Sequence, residues 1–233
     1  MDIKLSGKKA IIIGAMGQDG QIMAKNLNLL KVSVVGVSKN QSFKNKELDG
    51  VDYKIIDLSN KELAFEFLDS IKPDFIFHLG SKNASSKSMK QIENTKMGDI
   101  VNSTINLTSN LLAWQLNNHN TEILVGLSCF MYSENPESNV INLGSDYSPK
   151  GVYGECNIKT HKLILEHRAK YGSNVSGLIL FNHTSRYSKK GFLVCFLSIC
   201  NSDSKSLATV FLGFKCFVEE HEKTNTIKNK ATI

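Results

Sequence analysis

The sequence predicts an α/β fold, a doubly wound parallel sheet with helices on both faces, and three features predict it. Short apolar runs of strand length alternate with longer amphipathic segments, the signature of βαβ units. The first run, KAIII at 9–13, is apolar after its lysine, as a strand buried on both faces must be. A glycine-rich turn, GAMGQDG at 14–20, then leads into a helical stretch.

The remaining elements follow in order. Residues 21–30 read as the first helix, 32–37 (VSVVGV) as the second strand and 53–56 as the third. Residues 60–71 carry helical spacing at Leu63, Phe67 and Leu68, with Asn60 as the cap, and Pro73 ends that helix before the strand FIFHL at 75–79. A long helix is expected at 102–117, carrying Leu107, Leu111, Leu112 and Trp114, followed by a fifth strand at 122–127. A loop rich in Ser, Asn, Pro and Gly at 133–150 separates it from a helix at about 153–171 and a sixth strand at 175–181. No internal repeat or low-complexity tract interrupts this order.

With 233 residues, 41% hydrophobic and 21% charged, the chain suits one large domain, or a domain with an appendage. It has no apolar run of the roughly 18 residues that a membrane span needs. Its first strand begins too early to leave room for a signal peptide, so the cytoplasm is the expected compartment. The five cysteines (Cys129, Cys156, Cys195, Cys200, Cys216) show no metal-ligand spacing and read as reduced thiols; no metal site is expected. The formal charge of +6 comes from scattered lysines without interleaved aromatics, so nucleic acid is not the expected partner. A doubly anionic small molecule accounts for the excess equally well.

Gly14, Gly17 and Gly20 form GxxGxxG directly after a strand and at a helix start. Glycine permits the tight turn and close backbone approach, and the helix N-terminus offers unpaired N–H groups to a pyrophosphate. In this βαβ setting the motif predicts a Rossmann-type NAD(P)-binding domain. The side chain closing strand two meets the adenosine ribose, where an acid suits NAD and a cation suits the 2′-phosphate of NADP. The chain reads Val37-Ser38-Lys39-Asn40, so NADP is expected over NAD, a solvated surface lysine being the alternative. Asp57 and Leu58 close strand three, placed to flank the adenine ring; an aspartate capping the next turn is the other reading.

Five segments, in the right order, resemble one family. GAMGQDG holds Gln18 and Asp19 inside the glycine motif, and IKPDFIFHLGSKN (71–83), with Leu79 and Gly80, resembles the cofactor-lining segment QPDEVYNLGAQS. LSCFMYS (127–133) takes the place of STSELYG, GVYGECNIKTHK holds the tyrosine of a Tyr-xxx-Lys pair, and LILFNHTS (178–185) resembles GILFNHES. Over about residues 8–197 the chain thus resembles the extended short-chain dehydrogenase/reductases (the NAD-dependent epimerase/dehydratase family), nearest to the GDP-mannose 4,6-dehydratases. The resemblance implies an NADP-dependent lyase acting on a nucleotide sugar, with His183 beside the cofactor and Asn182 and Arg186 facing the substrate diphosphate. It also implies a homodimer through the helices at 102–117 and 153–171. Residues 1–195 are expected to form the nucleotide-binding domain. Residues 196–233 are expected to be a short remnant of the substrate domain or a disordered tail. A truncated or frame-disrupted gene and a naturally shortened homologue both fit that ending.

In that family hydride leaves sugar C4 for the nicotinamide, water is eliminated across C5–C6, and hydride returns at C6. The Tyr-xxx-Lys pair supplies the base, the ammonium favouring the phenolate. A Thr or Ser on strand five hydrogen-bonds the same hydroxyl, and a Glu two residues later assists elimination. Here Tyr153 and Ser128 hold the tyrosine and hydroxyl positions, but the lysine position is Asn157 and the Glu position is Phe130. Lys159 is turned by roughly 200° from Asn157 on a helix and is no substitute. Tyr132 and Tyr147 are followed four residues later by Pro136 and Gly151, so neither supplies the pair.

Three functions are compatible with these residues. The first is an NADP-binding dehydratase-family protein with impaired catalysis. The second is an active NADP-dependent nucleotide-sugar reductase or epimerase using Tyr153 and Ser128, since carbonyl reduction does not need the missing Glu. The third is a non-catalytic Rossmann scaffold.

Overall fold

The computed structural model describes residues 5–39, 48–81, 97–132, 145–149 and 151–181, together with the backbone of 140–141, 217–218 and 231–232. The strands in chain order are β1 (Lys9–Ile13), β2 (Ser33–Ser38), β3 (Val51–Ile55), β4 (Phe75–His78), β5 (Glu122–Ser128), β6 (Val140–Ile141), β7 (Val175–Leu180), β8 (Phe217–Val218) and β9 (Ala231–Thr232). The helices are α1 (Gln18–Leu29), α2 (Lys61–Ile71), α3 (Met97–Val101), α4 (Leu107–Gln115) and α5 (Gly151–Tyr171).

Six strands run parallel in the order β3-β2-β1-β4-β5-β7, as the alternating pattern predicts. β8 adds an antiparallel edge to β7, and β6 pairs antiparallel with β9. Burial of β1 on both faces explains its unbroken apolar run. Ile11 and Ile13 face a core with Leu68 of α2, Leu111 and Trp114 of α4 and Ile164 of α5. Ala10 and Ile12 face the other core, with Ala24 and Leu27 of α1. Trp114 Nε1 donates to Asp69 Oδ1 at 2.8 Å, tying α4 to α2.

Several element ends differ from the sequence-based expectation. Helix α1 begins at Gln18, three residues early, because Gly17 takes the extended cap conformation and the third glycine of the motif lies inside the first turn. Asn60 does cap α2, its side chain accepting from Leu63 N at 3.0 Å, but Leu63 itself is 47% exposed and Ala64, Phe67 and Leu68 make the buried face. The helix expected at 102–117 is the C-terminal part of a run from Met97 to Gln115, in which the π-helical turn Asn102–Asn106 joins α3 to α4. Within that turn Asn102 Oδ1 accepts from Asn106 Nδ2 at 2.7 Å. The boundary expected near residue 195 lies outside the described residues.

Candidate functional site

Strand order reverses between β1 and β4, the place where open parallel sheets bind ligands beyond the strand ends. Gly14 and Gly80 follow these two strands and meet there. Gly14 has φ +84°, and a Cβ on it would lie 2.5 Å from Gly80 Cα and 2.6 Å from Gly80 N, so no side chain fits. The loop then folds back, Gly17 N donating to Gly14 O at 2.8 Å, and delivers the start of α1. Gly17 makes no side-chain cap, so main-chain N–H groups of the first turn point outward beside bare backbone. This cradle fits a pyrophosphate. Gln18 and Asp19 lie in the first turn of α1, Gln18 Nε2 donating to Asp19 Oδ1 at 3.5 Å. Leu79 packs against the α1-side core, its N–H bound to Ile13 O at 2.9 Å.

Beyond the end of β2, Lys39 Nζ pairs with Asp57 Oδ2 at 2.7 Å, both side chains part-exposed. Asp57 Oδ1 accepts from Ser59 N at 3.1 Å and Ser59 Oγ at 2.6 Å. Partial burial pushes the Asp57 carboxyl up, but the bonds from Lys39 and Ser59 outweigh it and hold the group below the usual aspartate value. Asp57 therefore caps its own turn and engages Lys39 together. The Leu58 side chain is fully buried in the core, and its carbonyl accepts from Asn110 Nδ2 at 3.1 Å.

At the other end β5 closes on Ser128, whose Oγ accepts from Phe130 N at 3.3 Å in the short 3₁₀ turn Cys129–Met131. Helix α5 packs tightly on this turn, because a Cβ on Gly154 would lie 2.6 Å from Phe130 O. Tyr153 is the third residue of α5, and its Oη lies 3.0 Å from Ser81 Oγ, just beyond β4. Asn157, only 1% exposed, uses both ends of its amide: Oδ1 accepts from Ser128 N at 2.9 Å and Nδ2 donates to Tyr153 O at 2.8 Å. Phe130 is 41% exposed and meets the Tyr153 ring edge-on, centroids 6.0 Å apart. Lys159 points away to the exposed side of α5. Asn157 thus bonds the main chain of both Ser128 and Tyr153.

Two neighbours escaped the sequence reading, Ser81 and His78. Ser81 carried the signal of a hydroxyl directly after the strand-four glycine. His78, at the end of β4, is 3% exposed, and its Nδ1 has no partner among the described residues. Burial lowers its pKa to about 4 against an opposing backbone hydrogen bond with Ser103 in the π-helical turn, so the ring is neutral at pH 7. Cys156 is a buried free thiol, pushed up by burial. His183, Asn182 and Arg186 lie outside the described residues. Among the described residues no three His, Cys, Asp or Glu side chains gather as metal ligands, and no helix is long and apolar enough to cross a membrane.

The sequence pattern of the NAD dependent epimerase/dehydratase family matches residues 10–203. The chain belongs to this family. Within it, a GDP-mannose 4,6-dehydratase of Vibrio cholerae is 24% identical over 195 residues, 76% of this chain and 50% of that protein. One of Yersinia enterocolitica is 24% identical over 225 residues, 89% of this chain and 57% of that protein. The chain therefore spans about half the length of these relatives. In fold it is similar to the UDP-glucose 4-epimerase of Brucella ovis solved with NAD, with a TM-score of 0.65 at 17% identity over 76% of this chain and 52% of that one. It is also similar to the L-threonine dehydrogenase of Clostridium difficile, with a TM-score of 0.68 at 22% identity over 80% and 57%.

Proposed function

We propose that this family member binds a nicotinamide dinucleotide, NADP in preference to NAD, and a nucleotide sugar of the GDP-mannose type, and that its dehydratase chemistry is impaired. One observation carries the reading: Asn157, in the lysine position, is buried with both amide ends bound to main chain. It offers no positive charge to a phenolate. Phe130, in the Glu position, neither gives nor takes a proton.

The binding half of the reading rests on backbone. Gly14, Gly17 and Gly20, with the first turn of α1, hold the pyrophosphate; Gly80 and Leu79 line the crevice beside it. Lys39 answers the 2′-phosphate, and the Asp57–Leu58 segment flanks the adenine. When bound, the nicotinamide ring supplies the hydride acceptor. Tyr153 Oη is the group of this chain that takes the proton of the sugar hydroxyl as its carbon is oxidised, with Ser128 Oγ hydrogen-bonding the same oxygen.

A second reading, an active nucleotide-sugar reductase or epimerase, is favoured by Tyr153 keeping its hydroxyl in a hydrogen bond at 3.0 Å. Titration with NADPH and NADH, followed by cofactor fluorescence and thermal melting, tests the binding half of both readings. The expected result is binding of both, NADPH tighter. Turnover of GDP-mannose near background supports impairment, whereas turnover of a keto sugar nucleotide with NADPH supports the reductase. Failure of a cooperatively folded sample to bind either cofactor overturns both and leaves a scaffold. The family resemblance also supports a homodimer through α4 and α5, where Leu165 and Tyr171 are exposed; sedimentation equilibrium reads it directly.

A further inference from the structure

A tyrosine that moves a proton must present its Oη in one place, and the surroundings of Tyr153 show which group can hold it there. On its own helix, Asn157 has both amide ends engaged with main chain, and Lys159 lies on the exposed side. From the turn after β5, the Phe130 and Tyr153 rings meet edge to face, and Ser128 Oγ accepts from Phe130 N. From the end of β4 comes Ser81, with Oγ 3.0 Å from Tyr153 Oη, the one hydrogen-bond partner of that oxygen among the described residues.

We propose that Ser81 is the positioning residue of Tyr153, its hydroxyl fixing the direction of the phenol where the family pattern uses a charged side chain from the tyrosine's own helix. Serine donates and accepts, and so stays paired with Tyr153 in both of its protonation states: it accepts from the phenol and donates to the phenolate. Being neutral, it orients the oxygen without adding charge. It also comes from the segment just after β4, 72 residues earlier in the chain, so it ties the helix of Tyr153 to the end of that strand.

The inference rests on Tyr153 being the proton-transferring group, and its test needs neither cofactor nor turnover. Full-length chain labelled with ¹³Cζ-tyrosine gives one resonance per tyrosine, that of Tyr153 being assigned by its loss in Tyr153→Phe. Ser81→Ala is expected to move the Tyr153 resonance while leaving the melting temperature within about 2 °C, and Ser81→Thr, which keeps a hydroxyl, to leave the resonance near its original place. An unmoved resonance in Ser81→Ala overturns the proposal. So does an equal movement in both variants, which would report packing and not the hydroxyl. Where turnover of a keto sugar nucleotide is measurable, Ser81→Ala is expected to lower kcat about tenfold with KM unchanged. A loss confined to KM overturns the positioning role. A protein without cofactor binding would sink the functional reading and leave the resonance result standing.

Discussion

At the β1–α1 end of the crevice the site is made of backbone: Gly14 against Gly80, and the main chain at the start of α1. At the β5–α5 end it is made of side chains: Ser128, Phe130, Tyr153 and Asn157. The first end keeps its three glycines, while the second carries Asn157 and Phe130 where the resemblance implies a lysine and a glutamate. The contrast is physical. A backbone cradle works only while side chains are absent, so almost any substitution destroys it. A side-chain site can be rewritten without unfolding the protein, provided the new groups satisfy the same buried partners. Asn157 does so for Ser128 N–H.

The largest expected effect breaks the backbone end. Gly14→Val puts a branched side chain at φ +84° against Gly80 backbone, and is expected to cost about 3 kcal/mol or more in urea unfolding and to abolish NADPH binding. A comparable effect comes from acid, acting on the strand between the two ends. His78 is held neutral down to about pH 4, whereas the unfolded chain protonates it near its ordinary value of 6.5. Its stability contribution is therefore complete above pH 6.5 and is lost as pH falls toward 4, a decline on the order of 3 kcal/mol. Chemical denaturation at stepped pH should show that slope, and His78→Asn should flatten it.

A smaller change separates the two ends. Asn157→Ala strands Ser128 N–H and is expected to cost about 2 kcal/mol while NADPH affinity stays within twofold. Introducing both groups, Asn157→Lys with Phe130→Glu, is expected to raise turnover of GDP-mannose above baseline at a lower melting temperature. The smallest effect concerns the Lys39–Asp57 pair. Asp57→Asn frees Lys39 from a part-exposed ion pair worth no more than about 1 kcal/mol, so NADPH should bind up to about fivefold tighter with NADH unchanged.

The parallel sheet and the glycine cradle were legible in the sequence because each is local: KAIII declares a strand buried on both faces, and three glycines after it declare a turn. Element ends were less so. Nothing in the spacing at 97–106 marks a π-helical turn, because its extra residue per turn disturbs the very periodicity that reveals a helix. Tyr153, Ser128 and the two departures could be read by register against the family pattern. The pairing of Tyr153 with Ser81 could not, since it joins residues far apart in sequence, and neither could the capture of Lys39 by Asp57. Such contacts belong to the packed molecule and not to any window of the chain.

The amide of Asn157 also makes a lysine hard to introduce at this position alone. Asn157→Lys by itself would leave Ser128 N–H without its acceptor, so a chain carrying that one change is expected to fold less well than its parent. A lysine here needs another acceptor for that N–H in place first. Changes at this site are thus order-dependent: the same substitution is costly or tolerable according to what already stands beside it.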